Sequence, residues 1–159
     1  MRHSVRLMTN NFDFLVGNWQ TTQRKMVKPL SGNDEWETTD GTMVNYSLFD
    51  GAANVDEVDL PGFGFRGISL RLQDPVTQDW SIYWVNSRNG QLALPPVVGR
   101  FDEHGVGEFF NDEEWQGKQI RVRYRWSGIT GTSARWEQAF STDGGHSWET
   151  NWTSDFTRA

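Results

Sequence analysis

The 159-residue chain contains no cysteine, which excludes disulfides, thiolate nucleophiles and cysteine-ligated metals. It has three histidines, His3, His104 and His146, and none stands in a His-x-His, His-x₃-His or HExxH spacing, so no metal site is expected. Basic residues are outnumbered, 15 Lys and Arg against 21 Asp and Glu, and the net charge of −6 argues against a partner read through its phosphates; no nucleic-acid partner is expected. No apolar run could span a bilayer, and residues 1–11 carry two arginines without the apolar core of a signal peptide. Neither a membrane partner nor export is expected, and the cytoplasm is the default compartment. There is no Gly-x-Ser-x-Gly, no serine can be tied to a particular histidine, and no cofactor is called for. Helical periodicity is missing too, beyond one short turn near the N-terminus.

What the chain does have is 16 glycines and nine tryptophans. Its apolar surface is concentrated in a few large side chains separated by many turns, a mix that suits a β-barrel or sandwich. Residues 1–11 read as a flexible N-terminus and 12–159 as a single domain. Phe12 to Val16 form a short helical turn, and strand signals then recur about every ten residues, at 19–28, 43–49, 54–60, 65–73, 80–87, 97–101, 106–111, 118–126, 133–141 and 148–157. Between the sixth strand and its predecessor lies an apolar connection, Leu92-Ala93-Leu94-Pro95-Pro96. Period-two alternation assigns the faces. Ile120, Val122, Tyr124 and Trp126 share one; so do Trp136, Gln138 and Phe140, and Trp80, Ile82 and Trp84. Arg66 is in phase with Ile68, Leu70 and Leu72, and Trp148, Trp152, Phe156 and Arg158 share a face opposite a water face of Glu149, Asn151, Thr153, Asp155 and Thr157. About ten half-buried strands in meander order predict an all-β, antiparallel up-and-down barrel, whose closure removes exposed edges.

Phe12 to Trp19 leads from the helical turn through Gly17-x-Trp19 into the first strand. This resembles the calycin group, the lipocalins and fatty-acid-binding proteins. The resemblance implies that Trp19 closes the narrow end of the barrel and that Arg158, from the last strand, packs over it. Asp13-Phe14-Leu15-x-Gly17-x-Trp19, Ser69-Leu70-Arg71-Leu72, Trp80-Ser81-Ile82-Tyr83-Trp84 and Arg135-Trp136-Glu137-Gln138-Ala139 are similar to an uncharacterised bacterial calycin-like family known mainly as a domain of unknown function. The disulfide of secreted lipocalins has no counterpart here. Ser141-Thr142-Asp143-Gly144-Gly145-His146-Ser147-Trp148 is similar to the Asp-box of sialidase-like propellers, a hairpin brace; Asp143 is expected to bond the turn amides and Trp148 to pack beneath.

The acidic cluster Asp56, Glu57 and Asp59 reads as a solvated edge. The ladder Arg121, Arg123 and Arg125 opposes its own strand's aromatics, and the neighbouring strand presents Arg135 and Glu137 on the corresponding face, which suits cross-strand ion pairs rather than a base-stacking platform. The interior carries the functional signal. Trp84, Tyr124, Trp126, Trp136 and Trp152 are expected to point inward with Gln138 and Arg66, forming apolar walls with sparse polar anchors. Arg66, Arg71 or Arg100 would hold a ligand's polar end, with Arg66 favoured for its phase. The expected function is binding of a small hydrophobic or aromatic molecule. The alternatives are a cofactor-free isomerase, cyclase or lyase, with Tyr83, Tyr124 or Glu137 moving a proton beside an arginine, and a filled barrel serving as an interaction module. Leu60 to Phe65 and Leu92 to Pro96 read as apolar rim loops that either gate entry or form a homodimer interface.

Overall fold

Ten strands run in sequence order around a closed antiparallel barrel in a computed structural model that describes residues 11–159. The flexible terminus expected for residues 1–11 lies, apart from Asn11, outside the described residues. The strands are β1 (Gly17–Met26), β2 (Trp36–Leu48), β3 (Ala53–Leu60), β4 (Phe65–Gln73), β5 (Trp80–Asn86), β6 (Leu92–Phe101), β7 (Gly107–Trp115), β8 (Lys118–Ser127), β9 (Ser133–Ser141) and β10 (Glu149–Arg158). Each pairs with its neighbours in sequence, and β1 closes the ring on β10 through a register that runs from Trp19 opposite Arg158 to Lys25 opposite Trp152. The fold expected from the alternating pattern is the fold observed.

Residues 13–15 form a 3₁₀ turn that tucks under one end of the barrel. Leu15 is fully buried, and the Phe12 ring meets Trp80 and Phe101 edge-on, each at 4.9 Å between centroids, with Phe109 at 5.7 Å. Trp19 lies beside them, 1% exposed, its indole N–H donating to the Leu15 carbonyl at 2.9 Å. The Arg158 guanidinium stacks 4.0 Å over the Trp19 ring and donates to the carbonyls of Val16 and Phe14. One cation thus holds the ring by its π face and the turn by its backbone acceptors. Gly17 is required at the join on two counts. Its φ is +115°, and a Cβ there would stand 2.8 Å from an Arg158 nitrogen.

Three local expectations change. Leu92 to Pro96 is not a loop; it is the first half of β6, pairing Ala93 with Trp84 and Leu92 with Val85 across a register shift in β5. The second strand begins at Trp36, seven residues earlier than its apolar stretch suggests, because it pairs with the whole of β1, from Trp36 opposite Met26 to Asn45 opposite Gly17. In β10 a bulge between Thr150 and Trp152 interrupts the alternation, so Trp148 ends outside the wall, against Phe110 and beneath the Arg123 guanidinium at 4.6 Å. Two residues of the expected water face, Asn151 and Thr153, are buried: Asn151 at the bulge, where Gln138 bonds it, and Thr153 between its cross-strand neighbours Arg24 and Glu137.

The fourth strand is the largest correction. Phe65, Gly67, Ser69, Arg71 and Gln73 point inward, while Arg66, Ile68, Leu70 and Leu72 form the outer face. The hairpin decides it. Leu60 is directly opposite Phe65, and directly opposed residues share a face, so burial of Leu60 carries Phe65 and every second residue after it into the barrel. Outside, Leu70 sits between Val55 and Tyr83, an apolar cross-strand row that imitates a core face in sequence.

Replacing Trp19 with alanine removes a fully packed ring and leaves Arg158 without its stack, and should cost roughly 3–5 kcal/mol in urea unfolding. A loss below about 1 kcal/mol would show that the end is not closed through this residue.

Candidate functional site

The interior divides by depth. Rings of Phe12, Trp80, Phe101, Phe109 and Phe156 fill the end closed by Trp19. Above them lies a cavity of about 100 Å³, bounded by Trp84, Trp136 and Trp152 on the far side and by Trp126 and Phe156 below. The three upper indoles meet nearly at right angles, Trp152 standing 6.1 Å from Trp84 and 5.4 Å from Trp136, an edge-to-face arrangement that favours rigidity. Gln23 fixes Trp152: its side-chain oxygen accepts from the Trp152 indole N–H at 2.8 Å and from the Ser154 hydroxyl, while its amide donates to Thr21. Trp84 lies against Gly67, where a Cβ would come within 1.9 Å of the ring; the glycine makes room for the indole.

At the boundary between the filled and open parts sits a buried ion pair. Arg71 and Asp56 are 4% and 3% exposed and bond through one guanidinium nitrogen, which also donates to the Asn54 side-chain oxygen at 2.9 Å. Asn45 donates to the same Asn54 oxygen at 3.0 Å and to Asp56 at 3.5 Å. The guanidinium lies 5.2 Å from the Phe12 ring and 5.8 Å from Trp126, so the aromatic floor supports it. Its Nε is buried without a hydrogen-bond partner among the described residues. A buried charge is tolerated only when paired and hydrogen-bonded, and this network does both.

Tyr124 completes the polar set. Burial, reinforced by the negative charge of Glu113, pushes its phenol well above the ordinary value of 10.0, while Arg71 opposes the rise. The ring keeps part of its surface accessible although protein surrounds it, because that surface lines the cavity. Its hydroxyl has no hydrogen-bond partner among the described residues. The phenol therefore stays protonated at neutral pH and acts as a donor.

Of the residues expected to face a ligand, Trp84, Tyr124, Trp126, Trp136, Gln138 and Trp152 come together around the cavity. Arg66 and Arg100 do not. Arg66 is outside, 3.3 Å from Asp59 and 3.9 Å from Glu57. Arg100 is also outside, bonded to Asp79 and to the Thr77 carbonyl at 3.0 Å. Tyr83 and Glu137 point outward as well, the latter paired with Arg135 at 3.3 Å. The acidic cluster is split: Glu57 and Asp59 serve Arg66 on the surface, and Asp56, expected on a solvated edge, is buried inside because it shares the inward face of Val58 and Leu60. The sequence names Arg71 among three candidates but favours Arg66; Arg71 is the one inside, and Asp56, Ser69, Gln23 and Ser154 join it around the cavity without having been expected there. For Asp56, Ser69 and Arg71 the signal is the parity of the Leu60–Phe65 hairpin, which outranks the hydropathy of Ile68, Leu70 and Leu72, while Gln23 and Ser154 share the phase of Trp19 and Phe156 on their own strands.

The surface groups are structural. Arg121 pairs with Asp112 at 2.9 Å, and Arg123 and Arg125 approach Glu108 at 4.0 and 3.6 Å, so the ladder is answered mainly from β7 and not from β9. Arg135 instead reaches Asp155 at 2.9 Å. Asp143 accepts from the Ser147 amide at 2.9 Å and from the hydroxyls of Ser147 and Ser141, contacts that hold its carboxyl far below the usual carboxylate range. At the open end, the turn between β3 and β4 folds inward. Phe63 and Phe65 are buried against Trp152 at 6.3 and 6.2 Å, so the two rings of this segment lie over the mouth while Pro61, Gly62 and Gly64 stay exposed. Among the described residues no group of three His, Asp or Glu could hold a metal ion, and no helix is long and apolar enough to cross a membrane.

No family model matches the chain, and no curated protein matches its sequence. Among solved structures, one described as "Structure of EF1p2_mFAP2b bound to DFHBI" is similar over 96% of this chain and 99% of that one, at 11% identity and a TM-score of 0.47. A likeness at that level says nothing about what this barrel holds.

Two measurements test the site's construction. Asp56→Ala strands the Arg71 charge and should cost about 3–5 kcal/mol, whereas Asp56→Leu with Arg71→Met removes both charges and should cost less than either single change. Losses that simply add would mean that the two charges are not coupled. For Tyr124, the folded state keeps the phenolic proton where the unfolded chain, at 10.0, gives it up. Its contribution to stability is therefore whole below about pH 10 and declines as pH rises beyond it. Tyr124→Phe should flatten that alkaline decline in unfolding curves; an unchanged slope would place the phenol in water.

Proposed function

We propose that this protein is a calycin-like, cytoplasmic binding protein that holds a small, largely apolar molecule of about one ring in the barrel interior, with the molecule's polar end against Tyr124 and Arg71. The observation that carries this reading is the unfilled space itself. Trp84, Trp136 and Trp152 leave surface exposed toward a cavity of about 100 Å³. Residues serving only as filler would close on one another instead. An apolar cavity of about 150 Å³ accommodates benzene, so the scale is a single ring or smaller unless the mouth opens. The calycin-like kinship rests on the floor, where Trp19 after Gly17 carries Arg158 on its face. The inward fold of Phe63 and Phe65 favours their use as a gate over their use as a dimer surface.

A barrel enzyme is the second reading, favoured by one observation: a buried tyrosine beside an arginine in the cavity. Binding ranks first because the other proton carriers considered, Tyr83 and Glu137, face outward and Tyr124 is held protonated. Arg71 is also already neutralised by Asp56.

Tryptophan fluorescence tests the proposal directly. A panel of indoles, single-ring aromatics, flavonoids and fatty acids should give saturable quenching with the smallest members. Ser69→Leu, which projects a larger side chain into the cavity, should abolish the quenching while leaving the melting temperature within a few degrees. If no panel member saturates, the filled-barrel interaction module replaces this reading.

A further inference from the structure

We infer that the cavity selects an uncharged hydrogen-bond acceptor, of the ketone, ester, lactone or amide class, over the carboxylate of the same shape, and that Asp56 sets this choice. The inference rests on the reading of the interior as a ligand site and specifies what that site takes.

Among the described residues lining the cavity, Arg71 and Asp56 are the only charged side chains, and they are opposite in sign. Toward the mouth, Lys25 lies 5.5 Å over the Trp152 ring, Arg88 lies 5.0 Å over the Phe65 ring and donates to the Phe63 carbonyl at 2.6 Å, and Glu113 acts on Tyr124. The cavity wall itself thus contains an arginine but no excess positive charge. A carboxylate drawn to Arg71 would come to rest beside the Asp56 carboxylate, in a place where both protein groups are nearly closed to water and screening is weak. It would also share the cation with Asp56, to which one guanidinium nitrogen is already bonded together with Asn54.

A neutral acceptor meets neither obstacle. The Tyr124 hydroxyl, unpaired and accessible from the cavity, donates one hydrogen bond, and a carbonyl dipole aimed at it needs no counter-charge. The depressed acidity of that phenol, caused by burial and by Glu113, keeps the donor in its donating form. The walls supply the remainder: three indoles and Met43, Val58, Leu60 and Ile82 leave an apolar space suited to a ring or short chain. Asp56 therefore does two things. It satisfies Arg71 in the folded state, and it closes the site to anions.

Acetophenone and benzoate, matched in shape and differing by a methyl group in place of a charged oxygen, provide the test at neutral pH by tryptophan quenching. The wild-type protein should bind acetophenone at least about tenfold more tightly than benzoate, the factor expected for an unpaired buried charge at its mildest. Asp56→Asn keeps the shape but uncovers Arg71, and should move the ratio at least about tenfold toward benzoate. Because Asp56→Asn can fail to fold, Tyr124→Phe is measured alongside: it should weaken acetophenone by about three- to tenfold and leave benzoate unimproved. Equal or tighter wild-type binding of benzoate overturns the inference while the binding reading stands. So does a folded Asp56→Asn protein with an unchanged ratio, or Tyr124→Phe with undiminished affinity for acetophenone. If neither probe saturates, the binding reading falls and this inference falls with it.

Discussion

The stack of Arg158 on Trp19 is the contact on which the rest of the barrel depends. A ten-strand ring is wide, and side chains from its walls do not meet unaided across the axis. The 3₁₀ turn from Asp13 to Leu15 solves the problem at one end by bringing Phe12 and Leu15 into the interior from below. Arg158 holds that turn in place through the carbonyls of Phe14 and Val16 and covers Trp19 at the same time. It does so from the last strand, so the first and last segments of the described chain are joined where closure is needed. The filled end then lets the opposite end stay partly empty.

That division of labour explains where the ionic groups lie. Arg71 and Asp56 occupy the level at which the packed rings stop and the cavity begins. Deeper burial would strand the pair among aromatic carbons; a higher position would expose it to water and to competing ions. At this level Phe12 and Trp126 carry the guanidinium, the Asn54 side-chain oxygen accepts from it, and Asn45 donates to Asp56 and to Asn54. The pair contributes little net stability relative to apolar residues of the same volume, because desolvation of two charges offsets most of their attraction. Its value is positional: it sets a polar, charge-balanced floor under an apolar space.

Much of this was legible in the residues alone. Alternation in β8 and β9 placed Tyr124, Trp126, Trp136 and Gln138 inside, and that is where they are. The resemblance carried by Gly17-x-Trp19 and Arg158 implied which end is closed, and in the barrel Arg158 lies over the Trp19 ring. The arginine of the site was not legible in the same way. β4 carries Ile68, Leu70 and Leu72 on one face and Ser69, Arg71 and Gln73 on the other, and hydropathy chooses the first for the interior. The barrel chooses the second, because the outer face of β4 is flanked by Val55 and Tyr83 and the inner face must match Leu60. Asp56 followed the same logic: three acidic residues in four positions look like one surface patch until pairing separates them by face.

The resemblance to the calycins implied the closing tryptophan with its arginine, and the sequence by itself determined the class of fold, the order of strands and the aromatic character of the interior. These follow from local alternation and turn chemistry, which act over a few residues. Only the tertiary structure decided which arginine is inside, that Asp56 faces it, that Phe63 and Phe65 cover the mouth, and that space remains above the floor. Each of those depends on which residue stands opposite which across neighbouring strands. A shift of one position reverses every side chain of a strand, and that choice is settled by the packing of the closed barrel as a whole.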